Sequence, residues 1–484
     1  MIGGWLCFGL AMAGVVTPQD ETYEEIAPVG PVRTAPPPVI PPAVRALALP
    51  EEFQIGKVKV HLVKVPGSRK AQVQFIVGRG SMDLASGPSA ATDLLFEIQD
   101  RATQSYGTGQ VSDLVAEHHF SVSSWGDLRY SGVDLETPLE SLELGISLAA
   151  EVLREPRFVK KELDRERRET LQWYEGRGIQ STAPPAARAL THAWFTPDSP
   201  YGRRPDLDGL RKLKVQNLEA LHQELLQDAP LDVLVVGDVD RATVEPWLTA
   251  AVSGMGSDSK ALDYPPDPAH ETRIVAIHLG GVTQSAIRLR TGAPLASTPD
   301  EPAFHLLDFA TGGSFLSRLN SNLREDKGMT YSASSKYTNS RSRAHWTVTV
   351  DVPIERTVEA MQEIQKEVSA LVTDGLTPGE LAAARNSKVS EWNMAMQTSG
   401  TAVGMYSGAF YEGLTISDYT AFYQGLDGVT SADTQRAAAT YWAEDKPRLW
   451  VVVGDMEVLE PQFEAAGLLV EWMSPTQAVL GTFR

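Results

Sequence analysis

The strongest constraint in this chain is a strand that occurs twice. Leu231-Asp-Val-Leu-Val-Val-Gly-Asp238 recurs as Arg448-Leu-Trp-Val-Val-Val-Gly-Asp455, the same apolar run closing on Gly-Asp 217 positions later. Short runs of this kind, rich in β-branched residues, read as buried strands. Other pieces line up near the same offset. Val133-Asp134 matches Val350-Asp351, each closing a strand and opening an amphipathic helix, and Glu162-Leu163 matches Glu380-Leu381. Gly209-Leu210 matches Gly425-Leu426, and Asp93-Leu-Leu95 matches His305-Leu-Leu307. Five matches in order, at offsets of 212–218 positions, imply two copies of one unit. The expected fold class is α/β, built as α+β sandwich units: two tandem homologous domains, each a mainly antiparallel sheet packed with helices.

The first copy opens with alternating residues over Lys57–Val65, and Pro66-Gly67 turns them into a second strand, Ala71–Val77. A helix is expected from about Ala90 to Arg101, then strands near Phe120–Trp125 and Leu128–Leu135. From Pro138 onward, Leu139, Leu142, Ile146, Ala149 and Leu153 fall on one helical face, and a charged helix spans Lys160 to about Tyr174. In the second copy, Thr377-Pro-Gly-Glu380 carries the marks of a helix start: Thr as N-cap, Pro at the first helical position, Glu closing a capping box. The glycines of the two Gly-Asp strand ends are expected to permit a turn.

A chain of 484 residues needs more than one ordinary domain. The net charge of −19 argues against nucleic acid or an anionic membrane surface as main partner. The single cysteine, Cys7, leaves neither an internal disulfide nor a thiolate metal site. Residues 1–16 form an apolar run too short to span a bilayer, with Ala11-Met-Ala13 as a small-residue cleavage site. They read as a signal peptide, so the protein is expected to be exported, in the periplasm, with no integral membrane span. Nine prolines in residues 17–50 make that stretch an extended tether. The body then divides into a domain over 51–250, a linker over 251–268 and a second domain over 269–484.

One segment stands out for chemistry. From about Ala303 through Phe315 and Leu319 to Leu323 the residues read as an apolar helix, broken at Gly328 and resumed as a strand around Tyr331. Arg324 and Tyr331 are seven positions apart, and a glycine turn between them brings a guanidinium and a phenol to one rim. Both donate hydrogen bonds and neither is a nucleophile, so they suit holding a carbonyl or carboxylate. The plain alternative is that Arg324 caps a helix C-terminus and Tyr331 packs as a strand aromatic.

The tandem units with their Val-Val-Gly-Asp strands resemble the pitrilysin/insulinase-type zinc metallopeptidases, in particular the shorter kind related to mitochondrial processing peptidase. Ser199-Pro-Tyr-Gly-Arg-Arg-Pro205 looks like the family's His-Pro-Tyr-Gly segment. Gly312-Gly-Ser-Phe-Leu-Ser-Arg-Leu319 followed by Leu323-Arg-Glu-Asp-Lys-Gly-Met-Thr-Tyr331 looks like its second-unit signature. The family's H-x-x-E-H motif places two zinc-ligating histidines on one helix face with a glutamate base between them. Here the resemblance puts Asp93 at the first histidine, Phe96 at the base, Glu97 at the second histidine and, by spacing, Trp173 at the distal ligand. No histidine lies between His61 and His118, so a one-residue slip does not rescue the motif. A rebuilt site from Asp93, Glu97 and the adjacent His118-His119 is weighed against a solvated helix face. Neighbouring side chains on a strand point to opposite faces, which favours the face. The degenerate zinc-motif positions are therefore Asp93, Phe96, Glu97 and Trp173, with no metal or other cofactor expected in this chain.

The resemblance implies a division of labour. In two-subunit members one chain carries the zinc motif and a zinc-less sister carries the Arg/Tyr pair that binds substrate. The expectation is a non-catalytic subunit of a heteromeric zinc endopeptidase, supplying Arg324 and Tyr331 in trans to an unfolded peptide. Its partner would be a homologous zinc-bearing subunit. The alternative is a structural, assembly or peptide-binding protein on the same fold with no role in proteolysis.

Overall fold

A computed structural model describes residues 42–84, 91–196, 199–259, 271–411 and 414–482. The signal-peptide reading, the tether up to residue 41 and the linker from residue 260 onward lie outside the described residues. The first sheet contains β1 (Glu51–Ile55), β2 (Val58–Lys64), β3 (Lys70–Val77), β4 (Ser121–Gly126), β5 (Ser131–Pro138) and β6 (Leu231–Gly237), in the order β1-β2-β6-β3-β5-β4. The second contains β7 (Arg273–His278), β8 (Gln284–Gly292), β9 (Ala333–Asn339), β10 (Ala344–Pro353), β11 (Arg448–Gly454) and β12 (Glu471–Met473), in the order β12-β7-β11-β8-β10-β9. Five strands of each sheet share one topology, with β6 and β11 inserted parallel to the first strand of their unit and antiparallel to the second. The sixth strand differs: β1 pairs antiparallel with β2, whereas β12 pairs parallel with β7.

The repeated strand is apolar throughout because both of its faces are covered. On one face of β6, Val233 and Val235 join a core with the helix Leu142–Arg154. On the other, Leu234 and Val236 pack with Ala402, Tyr406 and Ala409 of the second unit's helix Ser399–Tyr411. The reciprocal contact exists in the second sheet. There Val451 and Val453 of β11 share a core with Ala186, Ala189 and Leu190 of the first unit's helix Ala183–Trp194. Each unit thus closes the other's sheet, and the two sheets are parts of one body.

The Gly-Asp ends have a role that differs from the expected turn. Neither Gly237 nor Gly454 has a positive φ. A Cβ on Gly237 would come within 2.9 Å of the Ala71 Cβ, and one on Gly454 within 2.8 Å of Leu459 Cδ1, so close packing selects glycine. The aspartates lock the turn between β2 and β3 and the turn between β7 and β8. Asp238 Oδ2 accepts from the Gly67 amide at 2.8 Å, and Asp455 Oδ2 accepts from the Gly281 amide at 2.7 Å. Gly67 and Gly281 are the residues in the left-handed region, at φ 81° and 73°.

The repeated strand keeps its place as β6 and β11, and Glu162 and Glu380 are each the third residue of a helix; the Val133-Asp134 match shifts by two. Gln72 lies opposite both Val236 and Glu136, and Ala286 opposite both Val453 and Asp351. Glu136, not Asp134, therefore corresponds to Asp351. A slip of two residues leaves every side chain on its original face, so alternation alone could not detect it. The last part of the proline-rich stretch is also more than a tether. Arg45 and Ala48 offer carbonyls to Trp392 Nε1 at 2.7 Å and Tyr406 Oη at 2.9 Å, and Leu47 is buried.

His192, on the helix Ala183–Trp194, is buried and its Nδ1 donates to the Ala478 carbonyl at 3.1 Å. Burial pushes its pKa down to about 4, with the bond to Ala478 opposing. An unfolded histidine titrates near 6.5, so the unfolded state takes up the proton first as pH falls. The stability contributed by the neutral ring is complete above that value and is lost progressively toward pH 4. Denaturant titrations should show the wild type losing more stability between pH 6.5 and 4.5 than His192→Gln, by up to ~3 kcal/mol. Parallel pH profiles for the two proteins would refute this.

Candidate functional site

The first-unit positions fall on two helices, Ala91–Gln99 and Lys160–Glu175. Phe96, where the resemblance puts the base, is 7% exposed and belongs to a core with Leu95, Ile98 and Leu163. Its ring lies so close to Gly126 of β4 that a Cβ there would stand 2.0 Å from Cε2, and Ser124 Oγ donates to its carbonyl at 2.6 Å. Asp93 and Glu97 reach solvent from the other face of the same helix. The Asp93 carboxyl nevertheless sits in a recess: desolvation pushes its pKa up, the Arg188 charge opposes this, and Glu97 adds to it.

Trp173 and Tyr174 stand together, their rings edge-on with centroids 5.0 Å apart. The Arg188 guanidinium lies 5.6 Å from each centroid. Gly178 makes room for the indole, since a Cβ there would come within 3.1 Å of the ring. Asp93 and Trp173 are thus neighbours of one arginine. They do not form a metal site. Zinc needs three or four converging N, O or S donors. Phe96 and Trp173 offer none, and no group of three or more His, Cys, Asp or Glu that could hold an ion occurs among the described residues. His118 and His119 are not on a strand, as the sequence reading had them. His118 ends the helix Thr108–His118, and His119 follows in the left-handed region at φ 56°.

The second-unit segment departs from the expected single helix. The helix Glu301–Asp308 passes into π-helical turns at Phe309–Gly313, the chain is extended at Ser314, and a second π-helical segment runs Asn320–Asp326. Two adjacent glycines at the break and the interruption of the i→i+4 ladder account for this. Phe315 and Leu316 consequently lie on an exposed turn, at 65% and 86% exposure, rather than on a helix face. Gly328 adopts φ 58°, reversing the chain, and Tyr331 precedes β9 instead of lying in it.

The reversal does bring Arg324 and Tyr331 together. The guanidinium lies 5.8 Å from the Tyr331 ring centroid and 4.0 Å from that of Phe315, while its Nη1 is 3.4 Å from Glu325 Oε1. Tyr331 is 90% exposed, and its hydroxyl makes no hydrogen bond among the described residues. It is therefore not the packed strand aromatic of the plain alternative.

The rim is braced by two asparagines that no sequence motif singles out. Asn320 is 4% exposed, and its Nδ2 donates to the carbonyls of Ser314 at 3.1 Å and Ala333 at 2.8 Å. Its Oδ1 accepts from the Ala333 amide at 2.9 Å. One side chain thus ties the exposed turn, the Arg324 segment and the start of β9. Asn322 Nδ2 donates to Glu363 at 2.9 Å and Glu367 at 2.7 Å. The Asn322 bond, ahead of the Lys327 and Lys366 contacts and against desolvation, holds Glu363 down to about 2. Arg318 adds a two-bond pair to Glu380 at 2.6 and 2.7 Å, the same glutamate that closes the Thr377 capping box. Asn320→Ala should leave three backbone partners unmatched, two of them buried at Ala333, and cost ~1–3 kcal/mol. It should also raise proteolytic nicking between residues 314 and 333; a nicking rate equal to wild type would remove its bracing role.

The sequence model of the family described as "Peptidase M16 inactive domain" matches residues 212–388, a segment that contains Arg324 and Tyr331. Crystal structures agree in fold. A peptidase M16 inactive domain from Pseudomonas fluorescens superposes with a TM-score of 0.76 at 18% identity, over 84% of this chain and 98% of that one. A protease from Helicobacter pylori gives 0.74 at 18% identity, over 84% and 100%. The periplasmic protease PqqL from Escherichia coli gives 0.72 at 14% identity, over 90% of this chain and 49% of that one. No curated protein matches the sequence. Residues 212–388 thus match the model of the M16 inactive domain, and the two-unit fold of the chain is that of the M16-type structures. None of the helices among the described residues is long and apolar enough to cross a membrane.

Proposed function

We propose that this chain is the non-catalytic subunit of a heteromeric zinc endopeptidase. It pairs with a homologous zinc-bearing subunit, forms part of the chamber wall, and presents Arg324 and Tyr331 to an unfolded peptide bound at the partner's metal. The reading rests on one contrast. The base position is sealed in the core by Phe96, while Tyr331 stands 90% exposed beside the Arg324 guanidinium. Donors held in fixed positions stabilise a developing oxyanion whichever chain supplies them. Zinc belongs to the partner in this account. An exported, periplasmic location fits the apolar run at residues 1–16, and one protein of similar fold is described as a periplasmic protease.

Co-expression with a homologue encoded beside this gene and bearing an intact H-x-x-E-H tests the pairing. The two chains should elute together from a sizing column with zinc bound in proportion to the partner. Separate elution at micromolar concentration would sink the heteromer.

A further inference from the structure

We infer that the recess around Arg188 is a binding site for a peptide carboxylate, in which the arginine supplies the positive charge. The guanidinium lies beside the edge-on pair of Trp173 and Tyr174 rings, 5.6 Å from each centroid. It makes no hydrogen bond or ion pair among the described residues. All five of its N–H donors therefore remain for a ligand, and a planar guanidinium matches a carboxylate with two parallel bonds. The aromatic walls lower the local dielectric and strengthen that pairing. Asp93 works in the opposite direction: it shares the recess, interacts electrostatically with Arg188, and repels an incoming anion. The ligand class is a peptide bearing a free C-terminus or an Asp or Glu side chain. The site belongs to this chain alone, so it stands or falls separately from the paired role of Arg324 and Tyr331.

Calorimetric titration of the full chain, without any partner, tests this with three unlabelled octapeptides of Gly, Ala and Leu. One has a free C-terminus, one an amidated C-terminus, and one an amidated C-terminus with a central Glu. At least one acidic peptide should bind about tenfold or more tightly than the neutral peptide, and Arg188→Gln should erase that difference. Which acidic peptide binds identifies the source of the carboxylate. Asp93→Asn, on a solvent-reaching position, should tighten the same peptide. Equal binding of all three peptides overturns the site, as does acid preference surviving in Arg188→Gln. If Arg188→Gln fails to fold, the Asp93→Asn titration decides, and unchanged or weaker binding overturns it.

Discussion

Phe96→Glu, which writes a glutamate into the position of the family's base, is expected to destabilise the protein by ~3–5 kcal/mol and to yield no peptidase activity. The ring is 7% exposed, packs with Leu95, Ile98 and Leu163, and rests on the Cα of Gly126. Removing an aromatic side chain from such a site leaves a cavity that its surroundings fill only in part. The incoming carboxylate has no donor waiting for it, so burying it adds a further penalty or drives it to its neutral form. Urea titration checks the result: the midpoint should fall well below that of the wild type. A midpoint within error of the wild type would mean that the residue 96 side chain is not part of the core. The same result would reopen the question of a recoverable metal site.

Arg324→Ala should lower peptide cleavage by the paired enzyme about 100- to 1,000-fold, equivalent to ~3–4 kcal/mol of transition-state stabilisation. The guanidinium is braced on Phe315 at 4.0 Å and held on a segment fixed by Asn320 and Asn322, so it is aimed before substrate arrives. Preorganisation of this kind places the loss mainly in kcat rather than in KM. Tyr331→Phe removes one donor from an exposed ring and should act in the same direction without changing stability. Arg324→Lys should restore only part of the rate, because an ammonium cannot reproduce the planar, two-bond geometry. Undiminished cleavage by both Arg324→Ala and Tyr331→Phe would end the in-trans role.

Much of the fold could be read from residues because burial on two sides writes itself into sequence. β6 and β11 are apolar at successive positions since helices of both units cover them, which made their recurrence conspicuous. What supplies the second cover, a helix from the opposite unit, leaves no local mark. The helix Thr108–His118 escaped notice for the converse reason: its apolar stripe, Val111, Leu114 and Val115, covers little more than one turn, and only Val111 is fully buried. The Gly-Asp ends were visible as a motif, yet their work depends on the distant turn amides of Gly67 and Gly281. At the candidate site, the seven-residue spacing of Arg324 and Tyr331 was legible, as was the loss of zinc ligands at Phe96 and Trp173. Asn320 and Arg188 were not, because Asn320 bonds Ala333 thirteen positions on and Arg188 meets rings that belong to another helix.

The most direct test of the account is the rate of peptide cleavage by the zinc-bearing homologue, measured alone, with this chain, and with its Arg324→Ala variant. The account predicts a large rate increase on adding the wild-type chain, and a complex of the same size with little activity on adding the variant. A homologue equally active alone, or equally stimulated by wild type and variant, would contradict it.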